Sequence, residues 1–198
     1  MKRRLYHHGH LRDALLQGAL RVIAEVGPAA FTLREVARRA GVSHNAPYRH
    51  FRDKGALLEA LAAQGFRALT RAMREAAAEE SDALKKLQQS GMAYVTFALR
   101  RPEHFAVMFD APGCSGKDPE YLQASQESFE TLVNFIRNSQ DQGQVPAGKT
   151  LERALYAWSL VHGVAKLAVA GRLPFRAKTD MLKFARFAIE ESFPPGIG

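Results

Sequence analysis

Residues 32–51 read TLREVARRAGVSHNAPYRHF, and this stretch determines how the first quarter of the chain folds. Glu35 follows Thr32 by three positions, which is the spacing of a capping box at the start of a helix. Apolar residues then recur at helical spacing up to Gly41, a residue type that commonly ends helices. A second short helix is predicted directly after this glycine. Two short helices joined by a glycine turn predict a helix-turn-helix over roughly residues 33–51.

The second helix, over about residues 44–51, carries polar and aromatic side chains where a buried helix would carry an apolar stripe. A helix that enters the major groove of DNA needs such an outward face. Asn45 can pair with adenine and Arg49 with guanine. Ser43 and His44 can hydrogen-bond to base edges. The alternative is a helical hairpin inside an ordinary bundle, which leaves this polar face without a role.

Other groups in and around the helix-turn-helix are suited to DNA phosphates, which fix register without reading sequence. Tyr48, His50 and Lys54 carry side-chain donors. Thr32 precedes a helix start, where backbone N–H groups are available to an anion. Residues 2–4 form a basic arm that can reach the minor groove. The predicted DNA contacts are Thr32, Ser43, His44, Asn45, Pro47, Tyr48, Arg49, His50, Lys54, Arg3 and Arg4.

Positive charge is concentrated in the same part of the chain. The net charge is +8, and residues 1–55 hold eleven Lys or Arg against four Asp or Glu. Residues 56–198 are nearly neutral, with seventeen against sixteen. A basic block beside a neutral one indicates an acidic partner at one end, either nucleic acid or an acidic membrane surface. Charge placed only for solubility is the alternative.

The remaining composition predicts a soluble, cytoplasmic protein. Cys114 is the only cysteine, so an intramolecular disulfide is impossible and a reducing compartment fits. Residues 5–13 lack the apolar core of a signal peptide. The longest apolar stretch, residues 154–170, is interrupted by polar side chains and is shorter than the ~20 residues of a membrane span.

Apolar periodicity is helical along the whole chain, and no useful stretch alternates with a period of two. The fold class is therefore predicted to be all-α. The predicted helices cover about residues 11–26, 33–40, 44–51, 54–78, 82–100, 102–110, 119–141, 149–170 and 177–193.

Residues 32–61, TLREVARRAGVSHNAPYRHFRDKGALLEAL, resemble the N-terminal DNA-binding domain of the TetR family of bacterial transcriptional regulators. The pair Ala46-Pro47 departs from the family pattern, in which many members carry Gly-Thr or a similar pair, and we expect it to alter operator preference. The opening YHHGHLRDALL and the later Trp158…His162-Gly163 resemble a subgroup with a C-terminal Trp-x-x-x-His-Gly signature. The residues that carry the family pattern are Val42-Ser43, Tyr48-Arg49-His50-Phe51, Lys54 and Leu57-Leu58.

The resemblance implies an N-terminal three-helix DNA-binding domain at residues 1–55 and a C-terminal helical ligand-binding and dimerisation domain at residues 56–198. It implies a homodimer on a palindromic operator in double-stranded DNA. It further implies a repressor that a small, largely apolar effector releases, with activation or a corepressor as the alternative. The helices at about 149–170 and 177–193 are apolar enough to form a four-helix dimer interface, or else a monomer core.

Aromatic and methionine side chains of the C-terminal region can line an effector pocket, since such pockets have apolar walls with few polar groups. The same residues at helical spacing also suit a plain core. Tyr94 and Tyr156 are weaker candidates. The candidate ligand contacts are Met92, Phe97, Phe105, Met108, Phe109, Phe129, Trp158 and His162.

Two other classes of function are weighed against DNA binding. An enzyme is disfavoured, because no nucleophile-elbow pattern or phosphate-binding loop is present. A metal-binding protein is suggested by His7, His8 and His10, since imidazole suits divalent metals. The cluster lacks a fourth ligand and lies in the basic arm, so no metal and no cofactor are expected.

Overall fold

A computed structural model describes residues 8–112 and 116–194 of the chain, and within them it contains eight α-helices, one 3₁₀ helix and no strand. The predicted all-α fold is confirmed. None of these helices is long and apolar enough to cross a membrane. The elements in chain order are α1 (His8–Ala30), α2 (Leu33–Arg39), the 3₁₀ helix (Pro47–Arg49), α3 (Lys54–Ala78), α4 (Ala83–Arg100), α5 (Pro102–Asp110), α6 (Pro119–Asp141), α7 (Thr150–Val169) and α8 (Lys178–Ser192).

The helices pack into two compact units. The N-terminal unit comprises the described residues up to Gly65 together with Glu103–Gln123. The C-terminal unit comprises Phe66–Pro102 and the described residues from Ala124 onward. Both α3 and α6 therefore cross the division between the units, α3 after Gly65 and α6 after Gln123. The functional division between residues 55 and 56 stays a prediction.

In the N-terminal unit, α1 packs closely against α2 at Gly18. A Cβ atom at Gly18 would lie 3.3 Å from the Val36 carbonyl oxygen and 3.6 Å from the Ala40 Cβ, so glycine permits this contact. Leu15, Leu16 and Val36 are fully buried around it. Burial of such side chains contributes ~1.5–3 kcal/mol each, which fixes α2 against α1.

The predicted helix boundaries of this unit are marked by the expected residues. The first helix breaks at Gly27, whose φ of 76° lies in the left-handed region, and Pro28 begins a last turn. The Thr32 hydroxyl accepts from the Glu35 N–H at 3.2 Å and so caps α2. The Asp53 carboxylate accepts from the Ala56 N–H at 2.8 Å and caps α3.

The second helix of the helix-turn-helix differs from the sequence expectation of an α-helix over residues 44–51. Only Pro47–Arg49 is helical, as one 3₁₀ turn. The Ala46 N–H donates to the Ser43 carbonyl oxygen at 2.9 Å, which is the i to i−3 bond of 3₁₀ geometry. An α-helix would need the amide of residue 47 to reach Ser43, and Pro47 has no N–H. The expected α-helix was wrong for this reason.

The C-terminal unit is organised around α4, which packs against α7 and α8. Gly91 allows this packing, because a Cβ there would lie 3.1 Å from Ile189 Cδ1 and 3.4 Å from Val161 Cγ1. The Asp82 carboxylate caps α4 by accepting from the Lys85 N–H at 2.8 Å. A buried apolar cluster joins α4, α6 and α7 to the end of α8; its members are Leu84, Leu87, Ile136, Val145, Ala154, Ala157 and Phe193.

Candidate nucleic-acid interface

The segment 43–51 has one buried side and one exposed side. Ala46 and Phe51 are 7% and 3% exposed, so they anchor the segment to the core of the N-terminal unit. Tyr48 is 54% exposed. Apolar anchors on one side thus display polar groups on the other, which is the arrangement that a DNA-reading element requires. The exposed row consists of Ser43, His44, Asn45, Tyr48 and Arg49, with His50 half-buried beside it.

Pro47 was predicted to contact DNA, and its burial shows that this prediction is wrong. Its side chain is among the fully buried ones, with less than 2% exposed. A group with no accessible surface cannot contact a base or a phosphate. Pro47 instead starts the 3₁₀ helix, where its fixed φ is suited to the first turn. Pro47 therefore acts on this surface only by fixing the positions of Asn45 and Tyr48 on either side.

A four-residue ion network holds α2 to α1. The Arg39 guanidinium donates to the Glu25 carboxylate at 2.7 and 2.5 Å and to the Glu35 carboxylate at 3.1 Å. Arg38 donates to Glu35 at 2.8 and 2.6 Å. Hydrogen bonding to Arg38, and then to Arg39, lowers the pKa of Glu35 from an ordinary 4.5 to about 2. The Glu35 carboxylate is therefore committed to two arginines and does not complete the capping box with Thr32.

Lys54 has an intramolecular role that its sequence position did not reveal. Its Nζ donates to the Ala29 carbonyl oxygen at 2.6 Å and lies 4.5 Å from the centre of the Phe31 ring. This contact ties the start of α3 to the connection between α1 and α2. An ammonium group has three donors, so Lys54 keeps donors for a phosphate. Its predicted phosphate contact stays a prediction.

Two groups near the interface were missed from the sequence. Arg34 is exposed in the first turn of α2, two residues after Thr32. The Arg12 guanidinium lies 5.5 Å from the centre of the Phe51 ring and covers that anchor. The signal for Arg34 was its place beside the N-terminus of a capped helix. Arg3, Arg4 and His7 lie outside the described residues, as do the side chains of His8 and His10.

The predicted effector residues fall in three separate places. Phe105, Met108 and Phe109 belong to the N-terminal unit, where a Cβ at Gly65 would lie 2.5 Å from Met108 Sδ. A side chain at position 65 would have to displace the flexible end of Met108, so glycine eases the packing of α3 against α5 at this point. Met92 and Phe97 line an open groove of about 1020 Å³ along α3, α4 and α8 in the C-terminal unit.

Phe129, Trp158 and His162 form an aromatic cluster within the C-terminal unit. The Phe129 and Trp158 rings meet edge to face with centres 5.9 Å apart, and Phe129 also packs on the buried apolar cluster. Tyr94, ranked below them from sequence, is the centre of this group. Its hydroxyl lies 2.8 Å from His162 Nδ1 and accepts from Trp158 Nε1 at 3.4 Å. Burial raises the pKa of Tyr94 well above its ordinary value.

The Trp-x-x-x-His-Gly stretch therefore has two different sides. Trp158 and His162 lie one helical turn apart on α7 and hold Tyr94 of α4. Gly163 presents an open surface, because a Cβ added there would meet no atom within 4 Å. Large apolar side chains are exposed on the same helix and on α8: Leu151, Leu155, Tyr156, Leu167, Val169 and Phe187.

Comparison with known proteins finds two family models that match this chain. The family described as bacterial regulatory proteins, tetR family, matches residues 15–61. The family described as tetracyclin repressor-like, C-terminal domain, matches residues 87–191, which is more than half of the chain. The sequence-derived assignment to TetR regulators is confirmed at this level.

Individual relatives are similar over most of their length. A structure of a protein with unknown function from Rhodococcus sp. RHA1 is 35% identical, with a TM-score of 0.82 over 96% of this chain and 99% of that one. The nucleoid occlusion factor SlmA of Marinobacter nauticus is 27% identical over 69% of this chain and 70% of its own.

A further solved structure, AibR in complex with isovaleryl coenzyme A and operator DNA, shares the fold at 15% identity. Its TM-score is 0.72 over 94% of this chain and 100% of that chain. Both family matches, the first covering the helix-turn-helix and the second the C-terminal helices, lead to one assignment. The chain belongs to the tetR family of bacterial regulatory proteins.

Proposed function

We propose that the protein is a homodimeric, sequence-specific repressor that a small effector releases from a palindromic operator. The observation that carries this proposal is the exposed polar row of segment 43–49 above the buried anchors Ala46, Pro47 and Phe51. Side chains held by a rigid core keep a fixed geometry, which base recognition requires.

Within the row, the proposed base readers come first in the chain. Ser43, His44 and Asn45 precede the 3₁₀ helix and are exposed. Arg49 lies one 3₁₀ turn after Ala46 and is also exposed, so it is suited to guanine. Tyr48, His50, Lys54 and the exposed N-terminus of α2 at Thr32 are proposed to hold phosphates, which fixes the register of the reader.

A dimer is supported by the exposed face of α7 and α8. Phe187 is 59% exposed and Leu155 is 42% exposed, which is unusual for large apolar groups on packed helices. The open surface at Gly163 lets a second backbone approach closely. We propose a two-fold interface built from α7 and α8 of both copies. Such a dimer is proposed to place the two copies of segment 43–49 about 34–36 Å apart, which is one turn of DNA.

Effector control is supported by the C-terminal unit and by its relatives. AibR, which has the same fold, is described in complex with both isovaleryl coenzyme A and operator DNA. We propose that an effector binds the C-terminal unit of this protein and favours a state with weaker operator affinity. An effector can change the free-energy difference between the two states only by as much as its binding free energies to them differ.

Selection of bound sequences from random duplex DNA tests this function. We expect an enriched palindrome whose half-sites are centred about one helical turn apart. Asn45→Ala is expected to lose about 1–3 kcal/mol on that site and to relax selection at one base pair of each half-site. Asn138→Ala, at an exposed position on α6, is the matched control and should select the same sequence as the wild type. No enrichment, or unchanged selection by Asn45→Ala, overturns the assignment of the reader.

A further inference from the structure

The groove along α3, α4 and α8 of the C-terminal unit has an apolar floor. Ala68, Ala72 and Ala76 recur every fourth residue on α3, so their small side chains leave room above that helix. Met92 and Phe97 of α4 form the opposite part of the floor. Met92 is half-buried and Phe97 is buried. The lining residues on α3 run from Ala68 to Ala76, or ~12 Å of helix, which suits an extended hydrocarbon chain.

The rim of the groove is strongly basic. Residues 56–198 are nearly neutral, yet five of their seventeen Lys and Arg residues line this one groove, against two carboxylates, Glu75 and Glu79. The local excess of positive charge therefore does not reflect the composition of the region. The five cationic residues are Arg71, Arg100, Arg101, Lys183 and Arg186.

Three of these cations are available to a ligand. Within residues 8–112 and 116–194, the guanidinium groups of Arg71, Arg100 and Arg101 form no ion pair and no side-chain hydrogen bond. Lys183 lies 3.2 Å from Asp180, and Arg186 lies 3.7 Å from a carboxylate on the next turn of α8. Both pairs are exposed, so they exchange readily with a competing anion.

We infer that this groove binds an anionic amphipath, with a hydrocarbon chain along Ala72, Met92 and Phe97 and a carboxylate or phosphate at Arg100 and Arg101. The inference rests on the proposed function and narrows its effector from a largely apolar molecule to one with an anionic head. Guanidinium groups bind carboxylates and phosphates through paired, charge-assisted hydrogen bonds. The groove volume, about 1020 Å³, accommodates a ligand of this size.

Calorimetric titration of the full-length protein tests the inference. The probes are octanoate, 1-octanol with the same chain length and no charge, octanoyl-coenzyme A, and inorganic phosphate. We expect octanoate or octanoyl-coenzyme A, or both, to bind at least tenfold more tightly than 1-octanol. Binding of octanoate alone assigns a carboxylate ligand, and binding of octanoyl-coenzyme A alone assigns a phosphate-bearing one. Equal binding of 1-octanol, or no binding by any probe with a chain, overturns the inference.

Two variants locate the site. Arg100→Gln with Arg101→Gln should weaken the anionic probe at least tenfold and leave 1-octanol unchanged. Ala72→Phe, which fills the floor without changing charge, should weaken every probe that carries a chain. The matched control is Arg172→Gln with Arg176→Gln, which removes the same charge from an exposed loop outside the groove. If the control lowers affinity as much as the first pair, the groove is not the site.

Operator binding is measured separately on the selected DNA, so that the two proposals fail in different ways. Arg100→Gln with Arg101→Gln should bind the operator as the wild type does without probe, and should resist release by the anionic probe. Probe binding in the groove without operator release retains the site and contradicts effector control. If 1-octanol releases the operator as readily as octanoate does, the proposal of an effector with an anionic head is wrong.

Discussion

The Tyr94 hydroxyl of α4 lies 2.8 Å from Nδ1 of His162 on α7, and the same oxygen accepts from Trp158 Nε1 at 3.4 Å. The indole N–H donates to the hydroxyl oxygen, and the donor and acceptor in the bond with Nδ1 are set by the imidazole tautomer. One buried hydroxyl thus connects the core helix α4 to the helix with the exposed apolar face.

Tyr94→Phe removes this hydroxyl while keeping the ring. We expect a loss of about 1–3 kcal/mol in the free energy of unfolding, because two half-buried partners lose their bond to a buried hydroxyl. Urea denaturation measures the difference. Tyr156→Phe, whose exposed hydroxyl makes one long bond of 3.4 Å to Ser192, is the control and should change stability by less than about 0.5 kcal/mol, the usual scatter of surface substitutions. Equal effects of the two variants contradict the buried network.

The ion network around Glu35 predicts that the stability of the N-terminal unit is sensitive to acid. Hydrogen bonding to Arg38 and Arg39 holds the folded-state pKa of Glu35 at about 2, below the ordinary 4.5. A depressed carboxyl pKa stabilises the folded state above the ordinary value, and this contribution is lost as the pH falls through 4.5 toward 2. Glu35→Gln should therefore flatten the decline of Tm across that range. Because the network is exposed, added salt should reduce the difference.

Lys54→Met tests the two roles of one ammonium group. Loss of the bond to the Ala29 carbonyl is expected to cost about 0.5–1.5 kcal/mol in stability. Loss of a phosphate contact should weaken binding to all DNA sequences alike and reduce the salt slope by about 0.9 per phosphate. Stability is measured by denaturation, and the slope by titration at several salt concentrations. Lys85→Met, at an exposed position on α4, is the control. If Lys54→Met keeps the wild-type salt slope, Lys54 makes only its intramolecular contact and does not bind a phosphate.

Gly163→Leu tests the proposed dimer face. A Cβ at position 163 would have no neighbouring atom within 4 Å, so the helix content should be retained. A second copy packed at this surface would be displaced, and we expect sedimentation to shift from dimer to monomer at micromolar concentration. Ala78→Leu, at an exposed position on α3, should leave the dimer intact. A dimer that survives Gly163→Leu excludes this face as the interface.

Regular elements of this fold are predictable from sequence because their signals are local. The bounds of α3, α5 and α6 agree with the predicted helices at both ends. Caps such as Thr32 and Asp53 use side chains within three residues of the amides they satisfy. The one misjudged element is the second helix of the helix-turn-helix, where a single missing N–H at Pro47 outweighs the propensity of its neighbours.

Side-chain roles were harder to predict, because they depend on partners distant in sequence. Lys54 meets Ala29 across twenty-five positions, and Tyr94 meets His162 across sixty-eight. Periodicity also cannot separate residues that line one cavity from residues that lie in different units. Phe97 and Phe105 are both aromatic and both buried, yet one lines the groove and the other belongs to the N-terminal unit.

The buried position of Pro47 has a consequence for how this protein can acquire new targets. Residues that hold the segment in place are separate from residues that face outward, and the two sets alternate along the same short stretch. Substitutions at Ser43, His44, Asn45 or Arg49 therefore change exposed chemistry without opening a void in the core. A library varied at these positions, with Ala46, Pro47 and Phe51 left intact, is the natural starting point for engineering readers of other DNA sites on the same scaffold.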